Sequence, residues 1–294
     1  MVKKILVKKI KRGGISMAMG ALTIKDLDSE LEKFTKRSLK DTNIGRDDAR
    51  YLVDLYYQVQ KLRISTSNQI RALERLTEES TEINNFFYNQ FKIVEKQIVT
   101  ILDVYTDRDE IGQWLKSIHG IGPVIASGLL AHLDITKAKT AGAFWRFAGL
   151  DPTVEWNKGE KRPWNARLKT LCWKAGQSFV KVSGNEKSLY GRLYREKKAE
   201  YIAKNENGGY AERCKDILSN KKFSKDTDAY KAYSVGKLPL GHIQAMAERY
   251  AVKIFLSHLF DFWYRKEYDK APPVPFAIAH LDHVHIIDPE VEGY

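Results

Sequence analysis

The densest group of chemically capable side chains lies between positions 145 and 165. Its members are Trp145, Arg146, Trp156, Lys161, Arg162, Trp164 and Asn165. Enzymes that modify a base in duplex DNA extrude it from the stack and hold it with aromatic faces and planar cations. We therefore predict that this segment holds a base, with Arg162 and Asn165 as catalytic residues. Arg146, Lys161 and Trp164 are predicted to contact DNA, and burial of Trp145 and one other tryptophan in the core is the alternative.

A Gly-Ile-Gly turn separates two short segments that favour helix, and it follows Lys116 and His119. In a helix-hairpin-helix, such a turn lets backbone N–H groups and the N-terminus of the second helix approach a phosphate. We predict DNA contacts at Lys116, His119, Gly120 and Gly122. The side chain of Ile121 is predicted to be buried in the core and to anchor the turn. These contacts hold the sugar-phosphate backbone of any sequence. A tight helical turn that binds nothing is the alternative.

The overall charge favours an anionic partner. The 294 residues include 49 Lys and Arg against 37 Asp and Glu, which gives a formal charge of +12 and a pI near 9.4. Such an excess attracts polyanions, whether DNA or a membrane surface. No run of about 18 apolar residues is present to span a bilayer, and the apolar stretch after the basic start is too short for a secretory signal. We therefore expect a cytoplasmic protein without membrane association.

The two cysteines, Cys172 and Cys214, have no CxxC spacing. A disulfide framework and a thiolate zinc site are therefore not indicated. Cys172 lies among apolar residues of a predicted helix, which favours an inert core thiol. A thiolate that adds to a pyrimidine ring is the alternative.

The elements that position these residues are predicted to be helices. Apolar residues recur with helical spacing over 47–79 and 81–105, which predicts two long amphipathic helices in an antiparallel hairpin. Shorter helices are predicted at 109–117, 124–133, 140–148, 167–182, 187–205 and 243–268, with a small β-hairpin expected between 153 and 163. The predicted fold class is all-α, with the N-terminal hairpin packed on a helix-hairpin-helix core and a C-terminal helical lobe.

Five regions follow from this pattern. We predict a flexible basic tail at 1–20, a helical arm at 21–108, the helix-hairpin-helix region at 109–152, a helical catalytic lobe at 153–270 and an extended tail at 271–294.

From Leu115 to Pro152 the chain resembles the C-terminal domain of DEDD-type insertion-sequence transposases, the relatives of pilin-gene invertase. The likeness rests on the hairpin and on Ala-Gly-Leu-Asp-Pro at 148–152, and it continues weakly through 161–168. Those transposases carry an acidic RNase-H-like domain and a catalytic serine. Here the first 110 residues show no strand bearing a carboxylate, and 156–162 contains no serine. The resemblance thus implies a DNA-binding domain that lacks the catalytic residues for strand transfer.

The size, the hairpin and the aromatic-basic block also resemble phage enzymes that hypermodify thymine, the thymidine aminotransferases and amino-acid:DNA transferases. This resemblance implies transfer of an amine or amino acid to a 5-phosphomethyl base with loss of phosphate, without a cofactor, in a phage-infected bacterium, as a defence against restriction. The implied partners are double- or single-stranded DNA and a small amine, with a homodimer as a further option. A transposase or recombinase and a non-catalytic DNA-binding accessory protein are the alternative functions.

The C-terminal segment contains the histidine cluster His280, His283 and His285. Attack by an amine needs a group that takes its proton, so we predict a general-base or amine-binding role for His280 and His283. A metal site and a tail packed on the last helix are the alternatives, and no metal ligand is assigned. His242, at the start of the last predicted helix, is a separate candidate for binding an anion.

Overall fold

The computed structural model describes residues 35–76 and 82–273. Within these ranges the chain forms ten α-helices and one short 3-10 helix, with no β-strand, which confirms the all-α fold class. The helices are α1 (Arg46–Leu76), α2 (Glu82–Asp107), α3 (Glu110–Ser117), α4 (Pro123–His132), α5 (Ala141–Phe147), α6 (Ala166–Lys181), α7 (Leu189–Glu206), α8 (Ala211–Asn220), α9 (Asp228–Ser234) and α10 (Leu240–Tyr268), with the 3-10 turn at Ile135–Lys137.

The two long helices α1 and α2 pack against each other and against the hairpin region. Between them, Arg63 donates to the buried carboxylate of Glu95 at 2.7 Å. At the start of α1, Arg50 donates to the carbonyl of Ala131 and Arg46 to that of Leu133. These bonds satisfy carbonyls at the C-terminal end of α4, which lack partners within their own helix. The arm is thereby fixed to the hairpin helices.

The hairpin helices α3 and α4 are held by close backbone packing. A Cβ atom on Gly112 would lie 2.4 Å from the carbonyl oxygen of Thr106, and one on Gly128 would lie 2.6 Å from Leu171. The core around them is built from fully buried apolar side chains of α2, α3, α4, α6 and α10, among them Leu102, Leu115, Leu129, Leu168, Phe179 and Phe255. Because α6 and α10 both face this core, the surface between them is rigidly supported.

A second, smaller apolar cluster joins α8, α9 and the start of α10. It contains Tyr210, Cys214, Tyr233, Leu238 and Ile243. This cluster fixes α8 beside the N-terminal end of α10, where part of the candidate site lies.

Most predicted helices agree with the structure to within about two residues, whereas the small β-hairpin expected between 153 and 163 is wrong. That segment is a series of turns. It is closed by the indole N–H of Trp156, which donates to the carbonyl of Glu160 at 2.9 Å. The predicted tail at 1–20 and most of the predicted C-terminal tail lie outside the described residues. No described helix combines the length and apolar character that a membrane span requires.

Candidate nucleic-acid interface

The aromatic-basic segment is anchored by a stack between Gly149 and Trp164. Gly149 has a φ of +65°, and a Cβ atom there would lie 2.7 Å from Cγ of Trp164. The indole therefore lies directly against the glycine backbone, and the amide of Asn165 donates to the carbonyl of Phe147 at 2.9 Å. The Ala-Gly-Leu-Asp-Pro motif thus positions Trp164 at the start of α6.

A lysine and a second tryptophan contact this indole, and an arginine lies over the second tryptophan. Nζ of Lys169 lies 4.1 Å from the Trp164 ring centroid, and the guanidinium of Arg162 lies 5.0 Å from that of Trp156. The two indoles meet edge to face, with centroids 5.9 Å apart. Arg162 is exposed and Trp156 is 40 % exposed, so both remain accessible to a ligand. Of the residues predicted to hold a base, the structure thus brings Trp156, Arg162 and Trp164 together.

Helix α10 adds cations that sequence reasoning missed. Burial lowers the pKa of Lys169, and Arg162 and Arg249 lower it further. Burial and then Arg249 lower the pKa of Lys253, whose Nζ lies 5.1 Å from the Trp145 ring. The Trp145 indole donates to the carbonyl of Lys253 at 3.0 Å. Trp145 is therefore half-buried against α10 rather than enclosed in the core.

The same charge continues toward α8. Burial and Arg213 lower the pKa of the Arg249 guanidinium. Burial also lowers the pKa of His242, with further contributions from Arg213, Arg249 and Lys221. One nitrogen of His242 lies 3.5 Å from Arg213 and the other 3.1 Å from the hydroxyl of Tyr233. His242, a candidate from the sequence, thus joins a cationic surface.

We call this surface the cation track. Its members are Arg162, Lys169, Lys221, Arg213, His242, Arg249 and Lys253. Each basic side chain of the track lacks an ion pair among the described residues. Cations that depress one another's pKa values are stabilised when an anion approaches them. The track with its tryptophans therefore has the properties of a polyanion-binding surface.

The hairpin turn has one closed and one open glycine. Gly120 has a φ of +96°, and its carbonyl accepts a 2.5 Å hydrogen bond from Ser178 on α6. Ile121 is buried, as predicted. Gly122 has no atom within 4 Å of a Cβ position, and no side chain of the described residues caps α4 there. The open side of Gly122 leaves room for a phosphate at the N-terminus of α4.

The other two predicted hairpin contacts differ in their surroundings. His119 is exposed at the turn. Lys116 contacts the carboxylates of Asp103, at 2.6 Å, and Asp107, and Lys36 contacts the same two groups. Only 18 % of the Lys116 side chain is exposed. Its charge is therefore compensated within the protein by these carboxylates, and the DNA contact predicted for Lys116 stays a prediction.

Helix α6 separates the hairpin from the tryptophans. Trp164 lies just before its first residue, whereas the carbonyl of Gly120 accepts a hydrogen bond from Ser178 near its other end. The 13 residues from Asn165 to Ser178 correspond to about 20 Å of helix. The two regions predicted to contact DNA, the hairpin turn and the tryptophans, therefore lie near opposite ends of α6.

Asn165 caps helix α6. Its side-chain oxygen accepts from the amides of Arg167, at 3.0 Å, and Leu168, at 3.1 Å. Its amide nitrogen lies 3.4 Å from Nδ1 of His132. This cap accounts for the residue structurally, and its predicted catalytic role stays a prediction.

The remaining candidates divide between the described and undescribed parts. Arg146 and Lys161 are exposed. Partial burial opposes ionisation of Asp151 nearby, but hydrogen bonds from Thr153, with Arg146 and Lys253, lower its pKa. His280 and His283 lie outside the described residues.

Cysteine and metal chemistry were two further possibilities that the sequence raised. Burial raises the pKa of the Cys172 thiol to about 12, so it is protonated at neutral pH. Within 35–76 and 82–273, no cluster of three or more His, Cys, Asp or Glu side chains has a metal-binding arrangement.

Residues 112–191 match the Transposase IS116/IS110/IS902 family. The matched segment begins in α3 and ends in the first turn of α7, so it contains the hairpin, Gly149, Trp164 and all of α6. The match confirms the transposase-like resemblance of this part of the chain. It covers somewhat more than a quarter of the sequence, and α10 lies beyond it. Neither the curated proteins nor the solved structures include a match to the chain.

The missed residues carried a partial sequence signal. Arg249 and Lys253, which were missed, follow the candidate His242 at a spacing that places all three along one side of a helix. Lys169 and Arg213 carried none, because only the folded chain brings α6 and α8 next to α10. The half of the site inside the transposase-like segment was therefore easier to predict than the half outside it.

Proposed function

We propose that this protein is a DNA-binding enzyme that modifies bases. The observation that carries the proposal is the cation track lying against Trp156 and Trp164. Phosphates give affinity to such a surface, and aromatic rings give it a place for a base. The match of 112–191 to transposases adds support, because those proteins act on DNA.

The more specific proposal is amine transfer to thymine, as the resemblance to phage hypermodification enzymes implies. The amine nitrogen attacks the 5-methylene carbon of a 5-phosphomethyl-uracil base and forms a C–N bond. The C–O bond to phosphate breaks, phosphate leaves with the electron pair, and the amine gives up a proton. Arg162 is the planar cation beside the indoles, so we assign it the stabilisation of the departing phosphate.

The test is incubation of 5-phosphomethyl-uracil DNA with amino acids and polyamines, followed by mass spectrometry of the nucleosides. We expect a product whose mass reflects gain of the amine and loss of phosphate. Arg162→Ala should abolish the product while most DNA affinity is retained, because the lost interaction is made chiefly in the transition state.

Lys158→Ala is the matched control, since it removes one exposed positive charge from the same loop. An equal loss of product in both variants would show that general charge, not the position of Arg162, matters. Absence of product with every amine, on single- and double-stranded DNA, would refute the amine-transfer proposal.

Strand transfer is the second candidate, and the family match over 112–191 favours it. The described residues contain no β-strand and hence no RNase-H-like sheet. Under our first proposal the purified protein neither nicks nor joins DNA in the presence of magnesium. Reproducible nicking that persists through a second purification step would reverse the order of the two candidates.

A further inference from the structure

Trp173 on α6 is exposed to an unusual degree for its residue type. Its relative exposure is 55 %, higher than that of Trp156 at 40 %. Tryptophan is a large, mostly apolar side chain that is highly buried on average, because its burial is strongly favourable. The family match spans Trp173 but assigns it no role, and the site described above does not use it.

The surroundings of Trp173 are cationic and aromatic. Nζ of Lys174 lies 5.3 Å from the Trp173 ring centroid and 4.7 Å from that of Tyr57 on α1. Lys174 and Tyr57 also line a shallow groove of about 310 Å³ together with Gln60, Lys61 and Ile64. Neither lysine forms an ion pair among the described residues. The groove therefore carries positive charge next to an open indole face.

Trp173 also continues the cation track. Lys169 lies four residues earlier on α6, so the two side chains share one side of the helix about one turn apart. Lys169 in turn lies over Trp164. An aromatic surface with a cation on each side matches a nucleic-acid strand, whose bases stack on rings while its phosphates contact cations.

We propose that Trp173, flanked by Lys169 and Lys174, stacks on an unpaired base of single-stranded DNA. The proposal rests on the proposed function, because it extends the same interface along α6. Any base has a stacking face, so the site binds without sequence preference. It supplies a place for the strand next to an extruded base, which single-stranded DNA occupies more readily than an intact duplex.

The test compares two fluorescent single strands of equal length, an oligothymidylate and an abasic oligodeoxynucleotide, by anisotropy with the full chain. The wild type should prefer the oligothymidylate. Trp173→Ala should weaken oligothymidylate binding by about tenfold and leave abasic binding unchanged. Trp173→Phe should restore part of the preference, because it retains a ring.

Two control variants separate stacking from charge and from general surface effects. Lys174→Met should weaken binding to both strands equally. It should also reduce the salt dependence of the affinity by about one phosphate contact. Tyr268→Ala removes an exposed aromatic ring at the end of α10 and should change neither affinity. The melting temperature of each variant is measured first. We expect the wild-type value for the Trp173 variants, because this side chain is largely exposed and contributes little to the core.

An equal loss on both strands, or no loss, in Trp173→Ala overturns the stacking site. A fall in oligomeric state in that variant, measured by analytical ultracentrifugation, also overturns it, since the surface would then be a contact between copies. If the wild type binds duplex DNA but never distinguishes the two single strands, only this inference fails. If it binds no DNA at all, the proposed function fails as well.

Discussion

Substitution of Gly149 by alanine tests whether Trp164 depends on the glycine backbone. The new Cβ would lie 2.7 Å from Cγ and 2.8 Å from Cδ1 of Trp164, and 3.0 Å from Cδ of Lys169. The left-handed backbone costs an alanine about 1–2 kcal/mol, and overlap with a packed ring adds about 1–3 kcal/mol. We therefore expect a loss of roughly 2–5 kcal/mol, within the 5–15 kcal/mol of a typical domain, so the variant should fold with Trp164 displaced.

The matched control is Gly208→Ala. Gly208 has a similar φ of +73°, but no atom lies within 4 Å of its Cβ position, so only the backbone cost of about 1–2 kcal/mol applies. Urea denaturation gives both free energies of unfolding, and anisotropy gives DNA affinity. Gly149→Ala should lose the greater stability and also DNA affinity, whereas Gly208→Ala should bind DNA normally. Equal destabilisation of the two variants, with unchanged DNA binding, would refute the role assigned to the Gly149–Trp164 stack.

Three further predictions concern the hairpin, the ion pairs and pH. Gly122→Val should leave stability nearly unchanged, because its Cβ enters open space. It should weaken binding to DNA of every sequence by a similar factor, because the side chain occupies the room left for a phosphate. Normal affinity in a folded variant would argue against the hairpin contact. Lys116→Met should cost about 1 kcal/mol in urea denaturation at pH 7. Because Lys116 helps to lower the pKa values of Asp103 and Asp107, that stability is present above pH about 4 and lost below it, so the gap between variant and wild type should close in acid. DNA affinity should rise as pH falls from 7.5 to 5.5, because a bound phosphate raises the lowered pKa of His242 and binding takes up a proton. His242→Gln should reduce the slope of this profile, and an unchanged slope would contradict the role of His242.

Much of the helical framework was predictable because its signals are local. Asp109 accepts hydrogen bonds from the amides of Ile111 and Gly112, and Asn165 does the same at the start of α6. Such caps mark helix starts in the sequence itself. Helix α9, seven residues from Asp228 to Ser234, was missed because it is too short for an apolar period.

The site was predictable only where neighbours in space are also neighbours in sequence. Trp156, Arg162 and Trp164 fulfil that condition, and their proximity was predicted. Lys116 does not fulfil the condition, because its carboxylate partner Asp103 lies on the preceding helix. The sequence does not distinguish a lysine that pairs with a carboxylate from a lysine that is free to bind a phosphate, because the difference depends on how the helices pack.

Under the proposed function, helix α6 would set the distance between the hairpin contact and Trp164. At 3.4 Å per base pair, the roughly 20 Å from Asn165 to Ser178 corresponds to about six base pairs of B-form DNA. A phosphate held at Gly122 would therefore fix how far along the duplex the tryptophans meet a base. The choice of base would then be set by distance from a gripped phosphate and by the chemical state of the base, without any readout of the surrounding sequence.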